Sequence, residues 1–264
     1  MTIRQRKMVV SEKQNAQNSD GNDEKLAEGT LLSHLVELRS RLLKVAAAVI
    51  FVFIGLLPFS KRIFEIVSAP LVDVLPGGRM IATEVASPLL TPFKLTFFVA
   101  LFIAMPVVLY QLWAFVAPGL YKNEKSFAFP LLASSILLFY MGIAFAYFIV
   151  FPLIFGFMTA VAPEGVEVMT DISSYLSFIT MIVLAFGLAF EVPIATVLMV
   201  WTGLTTPKKL TKARPYVFLG AFIVGMFLTP PDIISQTLLA VPVYLLFELG
   251  IIMSRLFARR KKDS

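Results

Sequence analysis

Residues Phe129–Phe151 have the sequence FPLLASSILLFYMGIAFAYFIVF, a run of 23 residues without Asp, Glu, Lys, Arg or His. A helix that crosses the hydrocarbon core of a bilayer needs about 20 predominantly apolar residues. This run therefore predicts a membrane-spanning helix, and similar runs occur along most of the chain.

The composition of the whole chain agrees with a membrane protein. Of its 264 residues, 58% are hydrophobic and 15% are charged, whereas soluble domains have about 45–50% apolar and about 25% charged residues. The mean hydropathy of +0.83 argues against a soluble enzyme. The absence of cysteine excludes disulfides and thiolate sites, and a single histidine, His34, excludes any site that needs two imidazoles.

The chain has six apolar runs that are candidate spans, which predicts an all-α polytopic membrane protein with six transmembrane helices. The fifth run is too short to cross an unperturbed core of about 30 Å, so it predicts local thinning of the bilayer. In chain order the predicted spans are about Val45–Phe59 (starting as early as Leu42), Leu95–Val116, Phe129–Phe151, Tyr175–Trp201, Tyr216–Leu228 and Ile233–Met253.

The distribution of Lys and Arg predicts the orientation of these spans, because cytoplasmic loops carry an excess of both. The N-terminal segment, the second and fourth loops and the C-terminal tail together hold 18 of the 23 basic residues. The connections on the other side hold 3, and Lys44 and Lys94 are assigned to helix ends. The alternation holds at every loop with six spans, so both termini are predicted to be cytoplasmic.

Three regions follow from this pattern. Residues 1–30 are polar and predict a disordered cytoplasmic tail. An amphipathic helix at the membrane surface begins the predicted membrane domain, residues 31–255, and residues 256–264 are predicted to be a basic cytoplasmic tail. The apolar face of this amphipathic helix has Leu31, Leu35, Leu38 and Leu42, and its polar face has His34, Glu37, Arg41 and Lys44.

Glu191 is the clearest polar residue inside a predicted span. It precedes Pro193, which frees a backbone carbonyl one turn earlier. Since ionisable groups cost roughly 2.5–3.5 kcal/mol in a span and are mostly functional, Glu191 is predicted to contact a substrate or partner within the bilayer. The alternatives are a structural hydrogen bond and a protonated glutamic acid in a packed interface.

Other polar residues in the spans favour structural roles or leave the role open. Glu248 is near the end of the sixth span, where it can reach the membrane surface, and Arg255 lies two turns further on. Gln236 and Thr237 have two equal alternatives: they satisfy backbone groups freed near Pro230 and Pro231, or they bond another helix.

Two carboxylates, Glu37 and Glu124, lie among the basic residues of the predicted cytoplasmic face. From composition alone, both are expected to be solvated or locally paired, and Glu37 with Arg41 forms an ordinary i,i+4 helix pair. His34 is likewise expected to be a surface residue.

These residues belong to segments that give the chain a close resemblance to the TatC family, the large subunits of twin-arginine protein translocases. The resemblance extends from about Leu31 to Arg255, with Gly119 at a position where some relatives have alanine. The matching segments are HLVELRSR (34–41), SAPL (68–71), FVAPGLYKNEK (115–125), FEVP (190–193), RPY (214–216) and LTPPD (228–232).

The resemblance implies a receptor with a glove-shaped bundle in the bacterial cytoplasmic (inner) membrane. Such a receptor binds the twin-arginine signal peptides of folded cargo and assembles with TatB and TatA into a multimeric complex that uses the proton gradient. Glu37 and Glu124 would bind the two arginines, and Glu191 would be the intramembrane polar site. The resemblance further assigns Arg39, Arg41, Phe115 and Leu120 to signal-peptide binding and Met226, Thr229 and Gln236 to partner docking.

Other classes of function have weaker support. A proton-coupled small-molecule transporter is the main alternative, with Glu191 as proton carrier, but no internal repeat and no second deep ionisable group is visible. An intramembrane hydrolase lacks its motifs, His-Glu-x-x-His and Gly-x-Ser-x-Gly. The basic residues follow membrane topology and so do not indicate nucleic-acid binding, and no ATP-binding loop, metal site or cofactor is predicted.

Overall fold

The computed structural model describes residues 35–73, 80–116, 125–161, 169–228 and 233–260, and the chain divides into two compact units, Met1–Ala47 and Ala48–Ser264. The described residues are almost entirely helical. A 3-10 turn, Leu57–Phe59, joins α1 to α2, and a π-helical turn, Ala146–Val150, joins α5 to α6. The helices are α1 (35–56), α2 (Ser60–Val72), α3 (Ser87–Ile103), α4 (Met105–Val116), α5 (Lys125–Phe145), α6 (Phe151–Ala160), α7 (Ile172–Ala189), α8 (Val192–Trp201), α9 (Pro207–Leu228) and α10 (Ile233–Arg260).

The predicted all-α fold with six spans is confirmed. One span is a bent pair, Ser87–Ile103 with Met105–Phe115, whose two helices meet at 49°. Five other helical segments in the described ranges are also long and apolar enough to cross a membrane: Leu35–Val72, Phe129–Ala160, Ile172–Trp201, Pro207–Leu228 and Ile233–Leu256.

Several boundaries differ from the prediction because helices continue past the ends of the apolar runs. Helix α3 begins at Ser87, so Lys94 lies two turns inside it and not at a helix end. Helix α9 has 22 residues, since Lys and Arg are good helix formers and extend it before Tyr216. The helix of the fifth span, α9, is therefore not short, although its apolar part from Tyr216 to Leu228 is only about 20 Å long at 1.5 Å per residue.

The second span bends where a proline interrupts its hydrogen bonds. Pro106 has no N–H and leaves the carbonyl of Phe102 without its usual helical donor. The hydroxyl of Tyr140 on α5 donates to this carbonyl at 3.2 Å and lies 3.3 Å from that of Ile103. A side chain of a neighbouring span thus satisfies the backbone at the bend, as a low-dielectric membrane requires.

The same arrangement occurs in α2. Pro70 frees the carbonyl of Ile66, and the hydroxyl of Tyr147 donates to that oxygen at 2.6 Å. Tyr175, at the start of α7, donates to the adjacent carbonyl of Val67 at 2.9 Å. Two tyrosines therefore connect α2 to the third and fourth spans.

Glycines bring α5 and α7 into close contact at the centre of the bundle. A Cβ atom at Gly142 would lie 2.5 Å from the carbonyl oxygen of Phe186, and one at Gly187 would lie 2.7 Å from the ring of Phe139. Both phenylalanines are almost fully buried. This close packing brings the polar residues of α5 within reach of the break in the fourth span.

Candidate functional site

The fourth span is interrupted by a turn next to Pro193, the proline noted in the sequence. Helix α7 ends at Ala189 and α8 begins at Val192, so Glu191 lies in the turn between them. Its N–H donates to the carbonyl of Leu188 at 3.1 Å. Pro193, in the first turn of α8, cannot donate a hydrogen bond, which ends the helical ladder here.

The carboxylate of Glu191 is half-buried and has one hydrogen bond. The hydroxyl of Ser135, on α5, donates to Oε2 of Glu191 at 2.5 Å. The other oxygen, Oε1, is buried and has no hydrogen-bond partner among the described residues. A carboxylate inside the bundle with one open oxygen can accept a donor from a bound ligand or partner.

Close packing continues on the other side of the break. A Cβ atom at Gly250 of α10 would collide with Oγ1 of Thr196 and approach Cα of Pro193 to 3.0 Å. The hydroxyl of Thr196 donates within its own helix, to the carbonyl of Pro193 at 2.8 Å. The backbone around Glu191 is therefore held between α5 and α10.

Glu37 forms the local pair that its spacing predicts. Nη2 and Nε of Arg41 donate to Oε1 of Glu37 at 2.5 and 3.0 Å. The Glu37 side chain is 36% exposed, and its Oε2 has no hydrogen-bond partner within the described part of the chain. Both of these bonds end on Oε1, so they leave the other carboxylate oxygen of Glu37 unused.

The remaining residues assigned to signal-peptide binding are only partly described. Arg39 is exposed on α1, close in sequence to Glu37. Phe115 is partly buried near the end of α4. Leu120 and Glu124 lie outside the described residues, so the grouping of the six residues stays a prediction.

The residues assigned to partner docking lie around α9 and α10. The side-chain amide of Gln236 donates to the carbonyl of Phe222 at 2.7 Å, and Gly225 leaves room for this approach. Of the two alternatives for Gln236, the structure has the bond to another helix, whereas Thr237 donates to Ile233 within its own helix. Met226 is 52% exposed, and Thr229 lies outside the described residues.

An ion pair between α9 and α10 was not anticipated. Nη2 of Arg214 lies 2.5 Å from Oε2 of Glu248. Arg255, the basic residue that the sequence places two turns from Glu248, instead donates to Oγ1 of Thr211 at 2.8 Å. A pair between two helices has no characteristic sequence spacing. The hint in the sequence is that Arg214 and Glu248 both lie near ends of predicted spans on the same predicted membrane face.

A second contact missed by sequence joins the segments before α3 and α7. Ile81 and Asp171 form an isolated parallel bridge. Asp171 caps α7 by accepting from the N–H groups of Ser173 and Ser174 and also accepts from Thr83. These hydrogen bonds lower the pKa of Asp171 to about 2. The bonds from the backbone N–H groups of Ser174 and Thr83 have the largest effect.

In the described residues, no three or more His, Asp or Glu side chains lie close enough together to hold a metal ion. The polar groups that the fold does place are carboxylates, hydroxyls and guanidinium groups in or beside spans. Such groups can bind and position a peptide.

Comparisons with known proteins agree on one family. A family model described as Sec-independent protein translocase protein (TatC) matches residues 33–242. The protein of that description from Escherichia coli (strain K12) is 58% identical over 234 residues, which are 88% of this chain and 91% of the relative. The protein of the same description from Azotobacter chroococcum mcd 1 is 57% identical over 235 residues, which are 89% of this chain and 92% of the relative.

A solved structure extends the likeness to the fold. The crystal structure described as twin arginine translocase receptor TatC has a TM-score of 0.76 to this chain at 38% identity. The match covers 84% of this chain and 98% of the solved one. With the family model covering most of its length and relatives more than half identical over nearly nine-tenths of it, the chain belongs to the TatC family of Sec-independent protein translocase proteins.

Proposed function

We propose that this chain is the receptor subunit that binds twin-arginine signal peptides and supports the export of folded proteins. As a TatC family member it is a multi-pass component of a protein translocase and works in a complex with other Tat subunits. The observation that carries the finer proposal is the likeness, at 38% identity, to a solved protein described as a twin arginine translocase receptor.

The proposed recognition of the arginines uses carboxylates in a basic surface. A guanidinium has a planar fork of donors that fits a carboxylate, and two adjacent guanidiniums need two separate acceptors. Glu37 supplies one acceptor, since its Oε2 is open although Arg41 is bound to Oε1. Glu124 is proposed as the second, with Phe115 and Leu120 packing beside the peptide and Arg39 and Arg41 repelling misplaced cations.

The apolar part of the signal peptide is proposed to enter beside the spans. Oε1 of Glu191 is buried without a partner among the described residues, so it can accept a hydrogen bond from an inserted peptide or helix. The short apolar length of α9 is proposed to thin the bilayer nearby, which lowers the cost of carrying polar backbone into it.

The single-span proteins TatA and TatB are proposed as partners, docking around Met226, Thr229 and Gln236. The exposed side chain of Met226 would meet a helix there, beside the bond by which Gln236 joins α10 to α9. We further propose that both termini are cytoplasmic, that the membrane is the bacterial inner membrane, and that the proton gradient drives export.

Crosslinking tests the arginine site. A twin-arginine peptide carrying a photoreactive group is added to purified protein with Glu37→Ala, Glu124→Ala or both. We expect each single change to reduce crosslinking about tenfold, because a charge-assisted hydrogen bond is worth about 1.5–3 kcal/mol. Glu65→Ala, an exposed acidic residue of α2, is the matched control and should have no effect. Unchanged crosslinking in the double variant would refute the site.

Glu191 also suits the second candidate, a proton-coupled small-molecule transporter, because a half-buried carboxylate can carry a proton. Glu248, an acidic residue of the sixth span, is paired with Arg214. Uptake of labelled small molecules into vesicles that lack TatA and TatB separates the candidates: a receptor subunit alone moves nothing. Glu191→Ala is expected to leave membrane insertion intact and to lower protein export.

A further inference from the structure

The end of the α9–α10 pair near Lys208 and Arg255 has a large excess of positive charge. Helices α9 and α10 contain seven Lys and Arg residues, and their acidic residue is Glu248. This carboxylate is bound to Arg214 at 2.5 Å and neutralises it. The other basic residues at this end have no carboxylate on either helix.

Arg255 is the cation that the fold orients most clearly. Its Nη2 donates to the neutral hydroxyl of Thr211, 2.8 Å away on the other helix. A guanidinium has five N–H donors, and the remaining donors of Arg255 have no acceptor among the described residues. The side chain is exposed, so its guanidinium is held in place and still able to bind an anion.

Lys208 lies on the same flank of the pair. It precedes Thr211 by three residues, and residues three apart are neighbours on a helix surface. It is exposed, and no ion pair links it to a carboxylate in the described ranges. Lys209 is also exposed, but at 100° per residue it points about 160° away from Thr211. One flank therefore combines an oriented guanidinium with an ammonium group.

Apolar side chains begin immediately beside these cations. Leu256 is 60% exposed and follows Arg255, and Ile252 is 54% exposed one turn earlier on α10. On α9, Tyr216 is 77% exposed at the start of the apolar part. Cations bordering an apolar surface match a molecule with an anionic head and an apolar chain.

We propose that Arg255 and Lys208 bind the phosphate headgroup of an anionic phospholipid at the seam between α9 and α10. Its acyl chains lie along the exposed apolar side chains of the two helices. The headgroup replaces the carboxylate that this end of the pair lacks, as basic pockets between helices do for anionic lipids. This binding site is independent of the proposed recognition of signal peptides.

Lipid binding to the protein purified in a neutral detergent tests the proposal. Native mass spectrometry measures retained lipid on titration with phosphatidylglycerol or phosphatidylcholine, and inorganic phosphate is added as a competitor. The variants are Arg255→Gln, Lys208→Gln and the control Lys209→Gln, which has the same charge change on the other side of α9. Circular dichroism and gel filtration of each variant check that it is folded.

We expect phosphatidylglycerol to bind at least fivefold more tightly than phosphatidylcholine. Arg255→Gln and Lys208→Gln should each weaken it about fivefold, the factor that one basic side chain contributes near an anionic surface, and Lys209→Gln should have less than a twofold effect. Equal weakening by all three variants would overturn the site, as would no preference for phosphatidylglycerol. Displacement by millimolar phosphate, or tighter binding of an oligoglutamate peptide, would assign the site to another anion and overturn the lipid proposal.

Discussion

Ser135 and Glu191 form one short hydrogen bond that links the third span to the break in the fourth. Burying a carboxylate is costly unless it is hydrogen-bonded, and the described residues offer Glu191 this one donor. Ser135 is itself 1% exposed, so water does not replace it readily. The bond therefore fixes the side chain and leaves Oε1 available for a ligand.

Replacing Ser135 by alanine is expected to lower the free energy of unfolding by about 2 kcal/mol, because the carboxyl group of Glu191 loses its hydrogen-bond donor inside the bundle. Ser134→Ala is the matched control, since this neighbouring hydroxyl is exposed and bonds only the carbonyl of Pro130. Reversible unfolding in detergent micelles measures both. Equal effects of the two changes would show that the bond to Glu191 contributes nothing specific.

The sequence was sufficient to identify Glu191 as a polar residue inside a span but not to predict which residue contacts it. Pro193, two residues later, indicates a freed backbone carbonyl, and in the structure α7 ends and α8 begins beside it. Ser135 is 56 residues away in the chain, and one of two adjacent serines on a uniformly apolar helix has no pattern that distinguishes it. The contact depends on the glycine-mediated packing of α5 against α7, which hydropathy does not encode.

At the scale of helices, tyrosine hydroxyls compensate for prolines in neighbouring spans. Tyr147→Phe removes the donor to the carbonyl of Ile66 that Pro70 leaves open. We expect this change to lower the free energy of unfolding by about 1 kcal/mol. Tyr110→Phe is the control, because that exposed tyrosine has no hydrogen bond to another described residue. A larger effect at Tyr110 would contradict the explanation.

The ion pair between Arg214 and Glu248 is expected to clamp α9 to α10. Removing one partner leaves the other charge partly buried and unpaired, so Arg214→Gln or Glu248→Gln alone should destabilise the protein more than the double change does. The two side chains are 39% and 21% exposed, which limits the expected coupling to about 1 kcal/mol. A double-mutant cycle of unfolding free energies measures it, and a coupling of zero would mean that the pair is not a clamp.

Protonation of Asp171 at low pH is expected to weaken the contact between the segments before α3 and α7. Its pKa is lowered from 3.8 to about 2 in the folded protein. Its contribution to stability is therefore complete above pH about 4 and is lost as the pH falls towards 2. Unfolding measured from pH 7 to 2 should show this loss in the wild type and not in Asp171→Asn. Identical pH profiles would contradict the role of the Asp171 carboxylate.

For the whole molecule, apolar runs and loop charges were sufficient to predict the number of spans. These signals come from transfer of whole segments into lipid, which depends on composition more than on packing. Helix ends were less predictable, because α9 begins among charged residues before its apolar run and α3 begins seven residues before Lys94. Interhelical contacts such as Arg214 with Glu248 depend on the packed structure, and no local pattern predicts them.

The family resemblance supplied what physical patterns alone did not. From spacing, Glu37 predicts an ordinary pair with Arg41, and the structure has that pair. Its assignment to signal-peptide binding rests on the HLVELRSR segment and on membership of the TatC family. The open oxygen of Glu37 makes the two roles compatible, because a second guanidinium can bind without displacing Arg41.

The most direct measurement is the affinity of the purified protein for a twin-arginine peptide and for the same peptide with two lysines, each in the wild type and in a Glu37→Gln, Glu124→Gln variant. The wild type is expected to prefer arginine about tenfold, because a guanidinium offers carboxylate oxygens five N–H donors in a planar arrangement, whereas an ammonium group is a point charge. The double variant should lose that preference. Equal affinities for both peptides in the wild type, or an undiminished preference in the variant, would contradict carboxylate recognition of the arginine pair.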